Sequence, residues 1–167
     1  GAMIHLLAPL GPIIIGVNRK GGTVNGCSKV ITVDKIDSVL PEADILYLAT
    51  PETAETKNLI SRERLDLLKP SCGIVNIGRQ SAIDYDALCE KLTDKKIAGA
   101  ILDVFTHEPI KSDSKLWGIP NLIITPHVSA DDGESYVRLT LELFMKNLEL
   151  FINNKPLVNQ VDKKLGY

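Results

Sequence analysis

Residues 73–79 read G-I-V-N-I-G-R, and this short stretch decides the fold class of the chain. Its first five residues include three β-branched apolar side chains, Ile74, Val75 and Ile77, which favours a buried strand. A helical stretch over residues 61–68 precedes the run; it begins at Ser61 and ends before Pro70. A strand that is apolar on both faces and follows a helix is typical of a parallel sheet covered by helices.

The same alternation continues in both directions from this stretch. A helix is predicted over residues 84–93, with Asp84 as its N-terminal cap, and another helical stretch over residues 35–40. Further apolar strands are predicted at residues 13–17, 29–33, 45–48, 97–104 and 122–125. We therefore predict an α/β fold, in which a parallel sheet is flanked by helices on both faces.

The last long element is a predicted helix over residues 134–152. Asp131 or Asp132 is placed to cap its start, and Pro156 lies just beyond its end. Apolar side chains recur along it at helical spacing, at Val137, Leu141, Phe144, Leu148 and Phe151. This spacing predicts a helix that buries one face. Residues 154–167 have no clear period, and we expect them to form an extended C-terminal tail.

Composition excludes several classes of function. The 167 residues are 44% apolar and 24% charged with a formal net charge of -2, so we expect no nucleic-acid partner and no anionic membrane surface. No apolar run is long enough to span a bilayer, and no signal peptide is recognisable at the start. The three cysteines are widely spaced, which predicts reduced thiols in a cytoplasmic protein and neither a disulfide nor a metal site.

Chemically useful side chains follow four of the predicted strands. Thr50 comes after the strand at 45–48, and Arg79, Glu108 and His127 come after the next three strands in turn. In an open parallel sheet, the carboxyl ends of the strands share one edge, where the ligand crevice forms. We therefore expect these four loops to build one site.

Four ordered segments resemble those of a known enzyme family. They read A-T-P-E-T-A-E-T-K-N-L-I (49–60), N-I-G-R (76–79), D-V-F-T-H-E-P (103–109) and T-P-H-V-S (125–129). Their letters, order and spacing are similar to the motifs of the D-isomer-specific 2-hydroxyacid dehydrogenases. The resemblance implies a Rossmann-like domain in a homo-oligomeric parent protein. It also implies hydride transfer between NAD(P)H and a small 2-keto or 2-hydroxy acid of the glyoxylate or hydroxypyruvate type.

The resemblance further implies three catalytic residues. His127 would be the general acid/base, which suits imidazole because its unperturbed pKa of about 6.5 lies near working pH. Glu108 would pair with His127, orient its ring and favour its protonated form. Arg79 would bind the substrate carboxylate and keto oxygen, because a guanidinium stays charged and donates two parallel hydrogen bonds.

Cofactor-binding residues follow from the same resemblance. The dinucleotide cleft would be lined by Thr50, Pro51 and the backbone of Ile77 and Gly78. Asp103 would meet the nicotinamide end of the cofactor, or else would only cap a turn. Thr56 matches a family threonine, and its hydroxyl is expected either at the cofactor or in a hydrogen bond within its own loop.

The choice between NAD and NADP depends on the exit from the strand at 13–17. An acidic residue there favours NAD by bonding the ribose hydroxyls, whereas a basic residue can hold the extra phosphate of NADP. This strand exits into Asn18, Arg19 and Lys20, with no acid. Both cofactors stay open, and the sequence favours NADP.

One part of the family's nucleotide fold does not occur in the sequence. No G-x-G-x-x-G loop, which would cradle the pyrophosphate, is present, and residues 4–11 resemble the end of the helix that follows it. In the strand order 3-2-1-4-5-6 the missing first strand is central, so we predict an interrupted sheet. Either a neighbouring chain fills the gap, or the sheet rearranges, or the first strands pair elsewhere. We interpret residues 1–3 as a tag remnant, 4–153 as a partial nucleotide-binding domain and 154–167 as the tail. We expect no useful turnover from this chain by itself.

Two alternative functions share part of the pattern. The corepressor branch of the same family is a non-enzymatic, nucleotide-sensing binding module, and retained catalytic residues do not exclude it. The absence of a long disordered or basic tail argues against this branch. A formate dehydrogenase relative would carry glutamine in place of Glu108. Gln80 stands where the family commonly has glycine, which leaves substrate preference open.

Overall fold

The computed structural model describes residues 2–130 and 132–164, and within them it contains six strands and four α-helices. The strands are β1 (Ile15–Asn18), β2 (Lys29–Thr32), β3 (Ile45–Leu48), β4 (Gly73–Asn76), β5 (Gly99–Leu102) and β6 (Leu122–Ile124). The helices are α1 (Ala2–Leu7), α2 (Arg62–Asp66), α3 (Tyr85–Thr93) and α4 (Tyr136–Ile152). Gly1, Asp131 and residues 165–167 lie outside the described residues, so neither the tag remnant nor the tail is described in full.

The predicted strands are confirmed, and each observed end lies within two residues of its predicted position. The predicted helical stretch at residues 35–40 is wrong in type. Two 3-10 helices, Val33–Ser38 and Leu40–Glu42, occupy this region. The second contains Pro41, which lacks a backbone N–H and cannot continue an α-helical ladder.

All the strand pairs are parallel, as the sequence predicts. β1 pairs with β2 in a two-stranded sheet, and β3, β4, β5 and β6 pair in that order in a four-stranded sheet. In the larger sheet Leu48 lies opposite Asn76, and Asn76 lies opposite Leu102. The carboxyl ends of neighbouring strands are therefore level with one another at one edge.

The predicted interruption of the sheet is also confirmed. Among residues 2–130 and 132–164, no strand joins β1 to β3. β1 pairs only with β2, and β3 pairs only with β4, so both β1 and β3 have one side without a described neighbour. The side chains of Val17 and Ile45 on these strands are 37% and 63% exposed. Strands without a second neighbour leave backbone groups available for pairing with another strand.

The hydrophobic core lies in and around the four-stranded sheet. Side chains of the strands pack against α2 and α3, with Ile60, Leu65, Ile74, Leu88, Leu92 and Leu102 among the fully buried residues. The predicted helix starts at Ser61 and Asp84 are confirmed as caps. The Ser61 hydroxyl accepts a hydrogen bond from the Arg64 N–H, and the Asp84 carboxylate accepts one from the Ala87 N–H.

The expectation that the last helix buries one face is wrong for the described chain. No residue of α4 is buried, and Val137, Leu141 and Phe144 are 65%, 55% and 59% exposed. Helical spacing identifies which face of a helix is apolar, but it does not supply the surface that covers this face. The predicted cap at Asp131 or Asp132 differs from the observed one, because Ser135 is the N-cap of α4 and makes no side-chain cap hydrogen bond. Asp132 accepts hydrogen bonds from the backbone of Glu134 and Ser135, in the turn that precedes the helix, and Asp131 lies outside the described residues.

The described part of the tail folds back along this helix. The side chain of Asn147 accepts a hydrogen bond from the Val158 N–H at 2.9 Å and donates one to the Val158 carbonyl at 3.2 Å. No helix among the described residues is long and apolar enough to cross a membrane.

Two leucine substitutions test where the core lies. Leu88→Ala should lower the free energy of unfolding by about 2–5 kcal/mol, since it leaves a cavity at a fully buried position. Leu141→Ala on α4 should cost less than about 1 kcal/mol, because the side chain is already more than half exposed. Urea denaturation of both variants measures the difference. An equal cost at the two sites would show that the apolar face of α4 is covered in solution.

Candidate active site

The shortest functional contact at the sheet edge joins His127 and Glu108. The imidazole Nδ1 of His127 lies 2.7 Å from Glu108 Oε2, and the other carboxylate oxygen accepts a hydrogen bond from the Phe105 N–H at 2.8 Å. These two bonds lower the pKa of the Glu108 carboxyl below its usual range, with the bond from His127 as the larger cause. An ionised carboxylate only accepts hydrogen bonds, so Nδ1 carries the hydrogen and Nε2 stays available to a ligand.

His127 is held in an uncommon backbone conformation. Its φ of +56° lies in the left-handed region, where residues other than glycine are rare. The buried carboxylate of Asp103 holds the loop of His127, because it accepts three hydrogen bonds from this loop. They come from the Thr125 hydroxyl at 2.5 Å and from the N–H groups of Val128 and Ser129, each at 2.9 Å. These bonds bracket His127 on both sides in the chain.

The Asp103 carboxylate is strongly stabilised in its charged form. Burial by itself would raise its pKa, but the hydrogen bonds from Ser129, Thr125 and Val128 outweigh burial and lower the pKa to about 2. Both carboxylate oxygens are engaged by the histidine loop. Contact between Asp103 and the nicotinamide end of a cofactor stays a prediction.

Arg79 lies at the end of β4 and does not join the His127–Glu108 pair. Its side chain is exposed, and Nη1 donates a hydrogen bond to the Gly78 carbonyl at 2.8 Å. Among residues 2–130 and 132–164, no hydrogen bond or ion pair links Arg79 to Glu108 or His127. The three predicted catalytic residues thus lie on adjacent strand exits, and two of them are in contact.

Two residues that the sequence analysis missed organise these loops. The fully buried side chain of Asn76 bonds to the backbone of Gly78 and Arg79 and to the hydroxyl of Tyr85, which in turn donates to the Val104 carbonyl. In the sequence, Asn76 could have been recognised as a polar residue at the end of an otherwise apolar strand. The available signal for Tyr85 was a large aromatic residue directly after a helix cap.

The exits of β3 and β4 are in close backbone contact. A Cβ atom on Gly78 would lie 2.8 Å from both the backbone nitrogen and the carbonyl oxygen of Thr50, so only glycine fits there. The backbone of Ile77 donates a hydrogen bond to the Leu48 carbonyl at 3.0 Å. The Thr50 hydroxyl oxygen is buried and has no hydrogen-bond partner among the described residues. A buried, unpartnered hydroxyl next to tight backbone fits a site that receives a polar ligand group.

Thr56 has a structural use within its own loop. Its hydroxyl donates a hydrogen bond to the Pro51 carbonyl at 2.7 Å and accepts one from the Thr53 N–H at 2.9 Å. These bonds close the loop that follows β3. They support the second of the two roles expected for Thr56, while a contact with a cofactor stays a prediction.

Asn18 and Arg19 lie at the end of β1, in the separate two-stranded sheet. The Asn18 carboxamide oxygen accepts hydrogen bonds from the N–H groups of Lys20 at 2.8 Å and Gly21 at 2.6 Å. This arrangement fixes a turn in which the cationic residues Arg19 and Lys20 follow the strand. Both are exposed.

The site is an open surface. The His127 side chain is 48% exposed and that of Glu108 is 36% exposed. A cavity of about 420 Å³ lies beside it, between the start of α3 and residues 105–116, and its lining includes Gln80, Tyr85 and His107 but neither Arg79 nor His127. Gln80 begins a 3-10 helix without a positive φ, so the backbone does not require glycine at this position. No group of three or more metal-ligating side chains occurs in the described part of the chain.

Comparison of the sequence with known protein families identifies the family of this chain. The sequence profile described as D-isomer specific 2-hydroxyacid dehydrogenase, NAD binding domain, matches residues 1–129. The chain belongs to this dehydrogenase family. The glyoxylate/hydroxypyruvate reductase B of Pectobacterium carotovorum is 44% identical to it over 100 residues, which is 60% of this chain and 31% of that protein.

Solved structures of the family confirm the Rossmann-like fold. A D-isomer specific 2-hydroxyacid dehydrogenase from Xanthobacter autotrophicus, in complex with NADPH and MES, matches with a TM-score of 0.91 and 29% identity over 99% of this chain and 67% of that one. An NADPH-dependent glyoxylate/hydroxypyruvate reductase from Sinorhizobium meliloti, in complex with NADP and sulfate, matches with a TM-score of 0.90 and 28% identity. The chain spans 53% of that reductase, about half its length.

Asp103→Asn tests the support of the histidine loop. The folded-state pKa of about 2 lies below the ordinary value of 3.8, so the ionised carboxylate stabilises the fold above about pH 4. This stabilisation is lost as the pH falls through 2. The wild type should therefore exceed Asp103→Asn in free energy of unfolding at pH 7, and the difference should shrink by about 2 kcal/mol between pH 5 and pH 2.

Urea denaturation across this pH range measures the change. The exposed Asp113 gives a matched control, because Asp113→Asn removes a carboxylate that no described hydrogen bond engages. The free energy of unfolding of Asp113→Asn should stay within about 0.5 kcal/mol of the wild-type value at every pH. A difference for Asp103→Asn that does not vary with pH would contradict the assigned bonds.

Proposed function

We propose that the polypeptide containing this chain is an oxidoreductase that transfers hydride between NAD(P)H and a small 2-keto or 2-hydroxy acid. The glyoxylate or hydroxypyruvate type is the proposed substrate class. The observation that carries the proposal is the 2.7 Å contact of His127 with Glu108. These two residues follow β6 and β5, and Arg79 follows β4, the next strand of the same sheet. An acid/base group and a permanent cation at one sheet edge suit the reduction of a keto acid.

The residues at the ends of β3 and β4 support the binding of a dinucleotide. The unpartnered hydroxyl of Thr50 and the tight backbone at Gly78 are suited to receive polar groups of a nicotinamide nucleotide. When bound, the reduced nicotinamide supplies the hydride. Pro51 and Ile77 would complete this side of the cleft. No glycine-rich phosphate loop occurs in the sequence, so the pyrophosphate would need further contacts from outside this chain.

The chain's own residues supply the proton and the charge. The Arg79 guanidinium would bind the substrate carboxylate and stabilise negative charge on the keto oxygen as that charge develops. His127 would give its Nε2 proton to the same oxygen during reduction and take it back from the hydroxyl during oxidation. Glu108 has a lowered pKa and stays ionised near neutrality, so it would hold the ring through Nδ1 and stabilise the imidazolium.

We propose NADP as the preferred cofactor. Arg19 and Lys20 follow β1 and bring positive charge, with no acidic residue, to the strand exit that reads the adenosine ribose in this fold. The NADPH and NADP in the two similar solved structures support the same choice.

The remaining expectations concern the chain as a whole. Turnover by residues 1–167 without further protein is not expected, because His127 is half exposed and hydride transfer requires exclusion of water. A homo-oligomer and a cytoplasmic location also stay proposals. The exposed apolar side chains of α4 support self-association, since such a surface is costly in water.

The catalytic role of His127 is tested by comparing its alanine variant with that of His107. In the longest native polypeptide that contains this chain, His127→Ala should reduce keto-acid reduction by about 10²–10⁴-fold, the range for loss of a general acid. His107→Ala removes an exposed imidazole beside Glu108 and should leave the rate near that of wild type. The assay follows cofactor oxidation with glyoxylate, hydroxypyruvate and pyruvate. A normal rate in His127→Ala refutes its role, and no turnover by wild type would favour a non-enzymatic binding module.

The proposed cofactor preference is tested at Arg19. Arg19→Ala should weaken NADPH binding by about tenfold, as expected for loss of one charge-assisted contact to phosphate, and should change NADH binding little. Steady-state KM values for the two cofactors measure this. An equal effect on NADH and NADPH would contradict a phosphate contact.

A further inference from the structure

The side chain of Asn76 encloses the turn that carries Arg79. Its Nδ2 donates a hydrogen bond to the Arg79 carbonyl at 3.0 Å, and its Oδ1 accepts one from the Gly78 N–H at 3.0 Å. The two backbone partners also define the orientation of the amide, because only Nδ2 can donate and only Oδ1 can accept. Asn76 is fully buried, so it fixes the turn from inside the protein.

The second Nδ2 hydrogen of Asn76 reaches a different element. It points to the hydroxyl of Tyr85 at 3.2 Å, and that hydroxyl donates to the Val104 carbonyl at 2.9 Å. Val104 is the second residue after β5 and leads into the segment that ends at Glu108. Burial raises the pKa of Tyr85, so its hydroxyl keeps its proton near neutral pH.

The ring of Tyr85 adds a second contact to the same segment. It packs edge-to-face against Phe105, with ring centroids 6.3 Å apart and an interplanar angle of 77°. The Phe105 N–H is the donor that holds Glu108 Oε1. The Tyr85 side chain therefore contacts both Asn76, which holds the turn of Arg79, and the segment that carries Glu108.

We propose that Tyr85, acting through Asn76, is a positioning residue that sets the distance between Arg79 and the His127–Glu108 pair. This inference rests on the proposed function, in which Arg79 takes the carboxylate of a keto acid while His127 faces its keto oxygen. The Arg79 side chain is exposed and contacts its own Gly78 carbonyl, so its placement depends on the backbone turn. The tight approach of Gly78 to Thr50 prevents the turn from moving towards β3.

Tyr85→Phe tests the proposal in the 167-residue chain, because it removes the hydroxyl and keeps the ring. Loss of the bridge should speed hydrogen exchange of the Gly78 amide by about tenfold, since the Asn76 side chain is then free to reorient. It should also weaken the binding of pyruvate at Arg79 by about fivefold or more. The Arg79 Nε–Hε resonance in nitrogen-15 NMR reports pyruvate binding.

Tyr47→Phe is the matched control. Tyr47 lies on β3, is partly buried, and makes no hydrogen bond through its hydroxyl in the described structure. This variant should leave both Gly78 exchange and pyruvate affinity as in wild type. If Tyr85→Phe lowers only the free energy of unfolding and changes neither readout, its role is merely structural and the proposal is overturned.

The two readouts separate this inference from the function on which it rests. If the wild-type Arg79 resonance does not respond to pyruvate, the proposed role of Arg79 fails, and with it the functional half of the inference. Faster exchange of Gly78 in Tyr85→Phe, with the control unchanged, would still support the bridge as the element that holds the turn. Unchanged exchange would overturn it.

Discussion

The parallel pairing of β3, β4, β5 and β6 is the constraint on which the rest of the site depends. Since these four strands run in one direction, all their carboxyl ends lie at one edge of the sheet. Residues that are far apart in the sequence, such as Arg79 after β4 and His127 after β6, are brought to the same edge by this direction. An antiparallel strand at any of the four places would send its loop to the opposite edge.

Hydrogen bonds between neighbouring exits extend the sheet beyond its last paired residues. The N–H groups of Ile77, Asp103 and Thr125 each donate at 3.0 Å to a carbonyl of the adjacent strand. Beyond these backbone bonds, the loops are connected by hydrogen bonds of the buried side chains of Asn76 and Asp103. The site is therefore built on a hydrogen-bonded edge of the sheet, at which the Arg79 side chain is exposed.

The same chain leaves apolar and backbone surfaces open. β1 and β3 each lack a second neighbour among the described residues, and α4 exposes its apolar face along its whole length. The match to the Xanthobacter structure, with a TM-score of 0.91 over 99% of the chain, means that the two sheets nevertheless keep the placement found in a longer protein. The fold of the longer protein is thus kept, although the described residues leave the open edges of β1 and β3 and the apolar face of α4 uncovered.

The sequence by itself determined the type and order of the elements and which loops hold the chemistry. Apolar runs, helix caps and four motifs are local patterns, so they predicted the strands and placed Arg79, Glu108 and His127 at their ends. Tertiary structure decided which groups meet. Asp103 accepts hydrogen bonds from residues 125–129, which follow the adjacent strand β6. Tyr85 at the start of α3 donates one to Val104 after β5, 19 residues away. The exposure of α4 was likewise a tertiary matter, because periodicity describes a face and says nothing of what packs against it.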